Sequence, residues 1–454
     1  MKYNFDEIID RRNTNSTNVE GFRDYMFCGR EDLQFAYKDE ELVRMWIADM
    51  EFATPPEIID AIRERLNQRI FGYSQVFDPA YYAAVAAWTQ KFYQWTFPEE
   101  HLVTSPGIIP ALYELCEYIC KPDEKVLIVT PSYGYFQSAV RHNHLGLVCS
   151  KLINNGGQYS MDYDDLEQKA KDPKVVLCIF CNPHNPTGRL WTEEELRKAG
   201  TICLNNNVRV ISDEIHCDLL RSGLRHIPLA KLFPESDQII TCMAPSKTFN
   251  MAGLMFSNVI IPDPVLRKKW LERHYAFKNP LSITATQAAY EHGEAWLQEL
   301  KCYLDLNFAY TAEFLNTHLP KAVFRIPEST YLAWIDISRY VEAGEDLSYL
   351  FARHAGVLLE DGSMFVDHAE GFIRLNLACP RAILEKGLER IAAYLNNSNS
   401  SSGASDSSRT NNNSKTNSKT NSNSGASDSS RTDSSRTNSE TIDGGLKTGS
   451  AKVS

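Results

Sequence analysis

At 454 residues the chain exceeds the size at which one hydrophobic core usually stops growing, so two domains are the default expectation. Its net charge is −11, and residues 398–454 hold seven Lys/Arg against five Asp/Glu, which leaves −13 on the remainder. An acidic body without a basic stripe argues against nucleic acid as the main partner.

The first residues, MKYNFDEIIDRR, are charged from the outset, and no stretch reaches the roughly 18 apolar residues of a membrane helix. The expectation is a soluble cytoplasmic protein without a membrane partner. Eleven cysteines, odd in number and mostly inside apolar runs, fit reduced core thiols. One CxxC, Cys178-Ile-Phe-Cys181, lies in an extended segment where residues three apart face opposite ways. No HExxH, second CxxC or EF-hand loop accompanies it, so no metal site is expected.

The N-terminal 50 residues have no evident core of their own and are expected to join a smaller domain. TSPGIIPALYELCEYIC (104–120) opens a helix directly after a Ser-Pro-Gly turn, with Pro110 suited to its first turn. Apolar runs follow: KVLIVT (125–130), LVCSKLI (147–153), VVLCIF (175–180), VRVISD (208–213), IITCMA (239–244) and SNVII (257–261). They read as strands buried on both faces, and helical stretches such as EEELRKAGTICLNNN (193–207) lie between them. This rhythm predicts an α/β domain with a mostly parallel sheet. After about residue 284 come one or two long helices, then TYLAWIDI (330–337), which alternates like a half-exposed strand, and GFIRLNLA (371–378). A smaller α+β domain fits that texture. The expected divisions are 1–50, 51–284, 285–396, and a Ser/Asn/Thr-rich tail, 397–454, that contains SGASDSSRT twice and is too polar to fold.

Ligands of open parallel sheets sit at the carboxyl ends of the strands. The residues that follow those ends are Tyr133, an aromatic plate; Asn185 in CNPHNPTGR, an amide; Asp213, a carboxylate; and Lys247 in APSKTFNMAG. Together they suit pyridoxal 5′-phosphate (PLP). A desolvated lysine can condense with its aldehyde, and an aspartate can keep its pyridine nitrogen protonated. Asn185 can donate to the ring oxygen while Tyr133 stacks on the ring. The free N–H groups of Gly107, Ile108 and Ile109 can face the phosphate at the positive end of a helix, with Ser246 adding a hydroxyl.

The ordered set SPGIIPAL, PSYGYF, CNPHNPTGR, SDEIHCDL and APSKTFNMAGL resembles fold-type I PLP enzymes of the class I/II aminotransferase superfamily. More narrowly, WIADMEFATPPEI (46–58), FGYS (71–74), SDEIH, AAYEHGEAWL and TYLAWID resemble the MalY/PatB-type cystathionine β-lyases, over roughly residues 1–396. The resemblance implies an aspartate aminotransferase-like fold. It implies that Lys247 holds the cofactor covalently, that Asp213 pairs with the ring nitrogen, and that Asn185 and His216 lie near the ring oxygen. It further implies that Arg374 in FIRLN binds the substrate α-carboxylate, with Asn185 assisting. Tyr73 would reach the phosphate and substrate of the other subunit in a homodimer with shared active sites. The implied reaction cleaves cystathionine or another cysteine S-conjugate, an amino acid substrate, to thiol, pyruvate and ammonia. Met255 stands where many aminotransferases carry an arginine, eight residues after the lysine, which favours the lyase reading. An aminotransferase, or a non-catalytic binding protein on the same shell, remains an alternative.

Overall fold

A computed structural model describes residues 2–30, 32–273, 277–367 and 369–406, with backbone alone from 399 onward. Residues 1–404 gather into one compact unit. The chain's expected low-complexity tail lies outside the described residues from 407; up to Asp406 its backbone continues the closing helix.

Seven strands form the main sheet: β1 (Leu102–Ser105), β2 (Lys125–Thr130), β3 (Gly146–Lys151), β4 (Val175–Cys181), β5 (Arg209–Asp213), β6 (Ile239–Met243) and β7 (Ser257–Ile260), in the order β1-β7-β6-β5-β4-β2-β3. Every pairing from β6 to β3 is parallel, and β7 runs antiparallel to both of its neighbours. Alternate residues of these strands enter opposite cores, as a period of two requires. Ile128, Ile179 and Ile211 pack with Leu112 and Phe136, whereas Leu127, Phe180 and Val210 pack with Leu196 and Trp191. Cys178 and Cys181 fall into different cores in the same way, each a free thiol.

The helices start where their sequences say they should. In α1 (Pro79–Tyr93), Pro79 occupies the first turn and the Asp78 carboxylate accepts from Ala80 N–H. Helix α2 is Ile108–Ile119. In α3 (Glu193–Asn205), Thr192 and Glu195 form a reciprocal capping box. The region expected to be one or two long helices is two, α4 (Pro280–His292) and α5 (Glu294–His318).

A second, antiparallel sheet has the order β8 (Leu332–Asp336), β10 (Phe372–Asn376), β9 (Glu360–Asp361). Here the expectation of a half-exposed strand in TYLAWIDI fails, because Leu332, Ala333, Trp334 and Ile335 are all buried. Ala333 and Ile335 enter one core while Trp334 enters another, so both faces of β8 are covered. Two further differences are local. LVCSKLI breaks at Leu152, and Ile153–Asn155 turns away to form a hairpin with Gln158–Ser160. The strand Leu102–Ser105 was not expected; four residues are too few to carry a pattern.

The N-terminal residues do not build an independent core. Phe22, Phe27, Leu33, Leu42 and Trp46 pack with Ala352 and Leu358, and Val43–Arg44 pairs in parallel with Val357–Leu358.

Candidate active site

The parallel register aligns Cys181, Asp213 and Cys242 across β4, β5 and β6, so the three loops that follow emerge on one edge. They carry Asn185, His216 and Lys247. From β2, Thr130 leads directly to Tyr133, whose short strand Ser132–Tyr133 pairs with Phe365–Val366.

Lys247 is half-buried, and its Nζ donates to Ala48 O at 2.7 Å. Burial pushes its pKa down, against the pull of Asp49; Arg374 pushes the same way as burial. A cavity of about 490 Å³ reaches this amine, walled by Ile47–Phe52 and by Arg11 and Asn15 of the N-terminal arm. The covering segment is pinned from both sides. Asn376 Nδ2 donates to Ile47 O at 2.9 Å and Asp49 O at 2.7 Å, and Asn250 Nδ2 donates to Met50 O at 3.0 Å and Phe52 O at 2.7 Å.

Asp213 is buried at the end of β5 and accepts from Ile215 N–H at 3.2 Å. Among the described residues it forms no salt bridge, and burial raises its carboxyl to about 7. His216 is buried, its Nδ1 without a partner among the described residues, and burial, reinforced by the Lys247 and Arg374 cations, pushes it down to about 3. Its ring meets Tyr331 edge-on at 6.3 Å, and Tyr331 Oη donates to Ala48 O at 3.0 Å.

Arg374 is 1% exposed in the central strand of the second sheet. Nη1 donates to Asn185 Oδ1 at 3.0 Å, Nη2 donates to Trp46 O at 3.3 Å and pairs with Glu360, and Nε has no partner among the described residues. With Oδ1 committed to Arg374, the Nδ2 end of Asn185 is the one left to donate. Tyr133 is half-buried; burial, and then the Glu360 charge, raises its phenol. Gly107, Ile108 and Ile109 form the start of α2, where helix geometry gives the first N–H groups no intrahelical acceptor. Ser246 is half-buried beside the lysine. Tyr73 stands apart: it is 87% exposed and stacks on Phe277 at 4.6 Å, outside this cluster.

The arrangement fits PLP by its chemistry. Among the described residues it offers a buried carboxyl in no salt bridge, a buried imidazole nitrogen without a hydrogen-bond partner, a desolvated amine and a helix N-terminus, and these complement a pyridinium, a phenolic oxygen, an aldehyde and a phosphate. Residues 40–391 match the family model for aminotransferase class I and II. The chain belongs to that family. Within the class I and II family it is similar to cystathionine beta-lyase PatB of Bacillus subtilis, 41% identical over 356 residues that cover 77% of this chain and 92% of the relative. Protein MalY of Escherichia coli is 31% identical over 391 residues, 85% of this chain and 97% of its own. The PLP-bound C-S lyase from Staphylococcus hominis superposes with a TM-score of 0.83 at 53% identity, over 87% of this chain and 98% of that one.

Four participants carried no clear sequence signal. Ala48 acts through a backbone carbonyl, which no residue type announces. Asn250 and Asn376 act by pinning a distant segment. Glu360 left only a faint trace, the first of two acids, Glu360-Asp361, that end the apolar run Val357-Leu358-Leu359.

Proposed function

We propose that this chain is a PLP-dependent carbon–sulfur β-lyase, which cleaves cystathionine or a related cysteine S-conjugate to thiol, pyruvate and ammonia. One neighbourhood carries the reading: a desolvated Lys247 within electrostatic reach of both a buried Asp213 and a buried Arg374. The lyase relatives share this fold over nearly their whole length.

When bound, PLP supplies an electron sink that makes the substrate α-proton acidic. Lys247, held at a strand end and desolvated, links the cofactor and then serves as the base that takes the α-proton. A cation facing Asp213 keeps it ionised at neutral pH, which suits a protonated ring nitrogen. Asn185 Nδ2 and His216 Nδ1 are the donors for the ring oxygen, Tyr133 covers the ring, and Gly107, Ile108, Ile109 and Ser246 hold the phosphate. Arg374 binds the α-carboxylate and thereby fixes which substituent faces Lys247. The departing thiolate leaves from the β-carbon, so water must be kept from the reacting atoms, a task for the pinned segment Ile47–Phe52.

Met255 supports the lyase reading over transamination. It is exposed with φ 51 just after a short helical turn, and places no cation there. Exposed Ile70, Phe71, Tyr73, Phe77 and Phe277 support a homodimer in which Tyr73 completes the partner's site. The two sheets support a large lobe, 51–284, and a smaller one, 285–396, joined by residues 1–50. No helix among the described residues is long and apolar enough to cross a membrane, and a cytoplasmic location is part of the proposal.

Borohydride reduction of the loaded enzyme followed by peptide mapping should place the label on Lys247. Incubation with cystathionine should release pyruvate and thiol. Amino-group exchange with a 2-oxo acid, with neither product released, would overturn the lyase reading.

A further inference from the structure

The second sheet sets Glu360, Arg374 and Trp334 side by side, since Arg374 lies directly opposite Glu360 on β9 and Trp334 on β8. Cross-strand partners point to the same face, and here Glu360 and Arg374 form a salt bridge with both side chains buried. The surroundings are apolar: the Phe365 ring lies 5.1 Å from the guanidinium carbon and Trp334 meets that ring at 5.0 Å.

A guanidinium grips a carboxylate through two parallel N–H groups, using either its Nη1/Nη2 edge or its Nε/Nη2 edge. Both edges include Nη2, and Nη2 is the nitrogen that already holds Glu360 and Trp46 O. An incoming α-carboxylate therefore meets a resident one. Two carboxylates on one buried cation cannot both stay charged cheaply, and the one fixed to the protein has no water to turn to.

We propose that Glu360 is the resident counter-ion of Arg374, and that binding of the substrate α-carboxylate to Arg374 drives Glu360 to take up one proton from solvent. The inference rests on the reading of Arg374 as the α-carboxylate site. Burial already raises the Glu360 pKa, and the Arg374 and Lys247 cations oppose that rise. The titratable groups facing it are Arg374 on its own sheet, Asp361 beside it, Lys247, Tyr25 and Tyr133. Only Glu360 shares a salt bridge with the guanidinium among the described residues. Carboxylate binding should accordingly weaken as pH rises, by about tenfold per unit over the range where Glu360 is ionised in the free protein and protonated in the complex.

The probe is 3-(methylthio)propionate, which has the carboxylate and sulfur of a substrate but no amino group to react. Calorimetric titration of the PLP-loaded enzyme, in two buffers of different ionisation enthalpy at about pH 7 and about pH 8.5, counts the protons taken up. The wild type should take up close to one proton per site and bind more weakly at the higher pH. Glu360→Gln, which keeps the shape and an acceptor oxygen, should take up none and bind equally at both. No uptake by the wild type overturns the inference without any variant, and so does unchanged uptake in Glu360→Gln. Arg374→Ala separates the two layers. If it binds the probe as well as wild type, the reading of Arg374 falls and the inference falls with it; if its binding is lost while wild-type uptake is zero, the inference alone fails.

Discussion

Lys247 lies in the loop after an apolar strand, and on the proposed reading its amine must spend part of its time uncharged, which a solvated lysine does rarely at neutral pH. Its bond to the Ala48 carbonyl aims the nitrogen without supplying a counter-charge. Lys247→Ala should lower β-elimination by about 10²–10⁴-fold and remove the borohydride-trapped peptide. Asp213 gives a pH signature. Its carboxyl is raised from 3.8 to about 7, so in cofactor-free protein its contribution to stability is fully present below pH 3.8 and is lost as pH rises through about 7. Melting of the cofactor-free wild type should therefore fall between pH 5 and pH 8 relative to Asp213→Asn, while PLP, bringing a cation, narrows the difference. The same Asn variant should cost on the order of 10²–10³ in rate. His216, held down near 3, stays neutral over that range. Its replacement by Asn should shift the cofactor's absorption spectrum and leave the shape of the pH–rate profile alone.

At the scale of elements, the loop that carries Asn185 depends on Gly188. That glycine has φ +67, its N–H donates to His184 O at 2.7 Å, and its carbonyl accepts from Ser329 N–H at 3.0 Å. A Cβ there would stand 2.4 Å from Pro327 Cβ, so Gly188→Ala meets both a left-handed backbone and a clash. It should destabilise the protein by about 1–3 kcal/mol, read by urea unfolding, and weaken substrate binding as Asn185 shifts. The pins on the covering segment can be separated from packing. Asn376→Ala leaves Ile47 O and Asp49 O without their donor, at a cost of about 1–3 kcal/mol. Solvent should then reach Lys247 more easily, which a faster borohydride reaction would reveal.

Over the whole molecule, what remains unexplained by one chain is the exposed apolar set around Tyr73. Tyr73 is 87% exposed and stacked on Phe277, and in the proposed homodimer it reaches the partner's site. Light scattering should give twice the chain mass. Tyr73→Ala should raise the concentration of PLP needed for half-saturation while leaving the thermal melt of the cofactor-free protein within about 1 kcal/mol of wild type.

The strands were readable because buried parallel strands must be apolar and end at turn residues, so KVLIVT, VVLCIF and IITCMA marked their own limits. Asn185, Asp213 and Lys247 followed as candidates, since parallel strands bring the loops after their carboxyl ends to one edge. TYLAWIDI misled because alternation reports hydrophobicity, and Trp334 on the outer face is covered by residues far away in the chain. Glu360 and Ala48 stayed hidden for a related reason. Glu360 matters through its salt bridge to Arg374 on the paired strand, and Ala48 through the bond its carbonyl accepts from Lys247, 199 residues away. The sequence by itself determined the α/β class and the cofactor and marked candidate residues to hold it, because these depend on local chemistry at strand ends. Only the tertiary structure decided what covers the lysine and what already occupies the arginine, because both depend on long-range packing that no local pattern encodes.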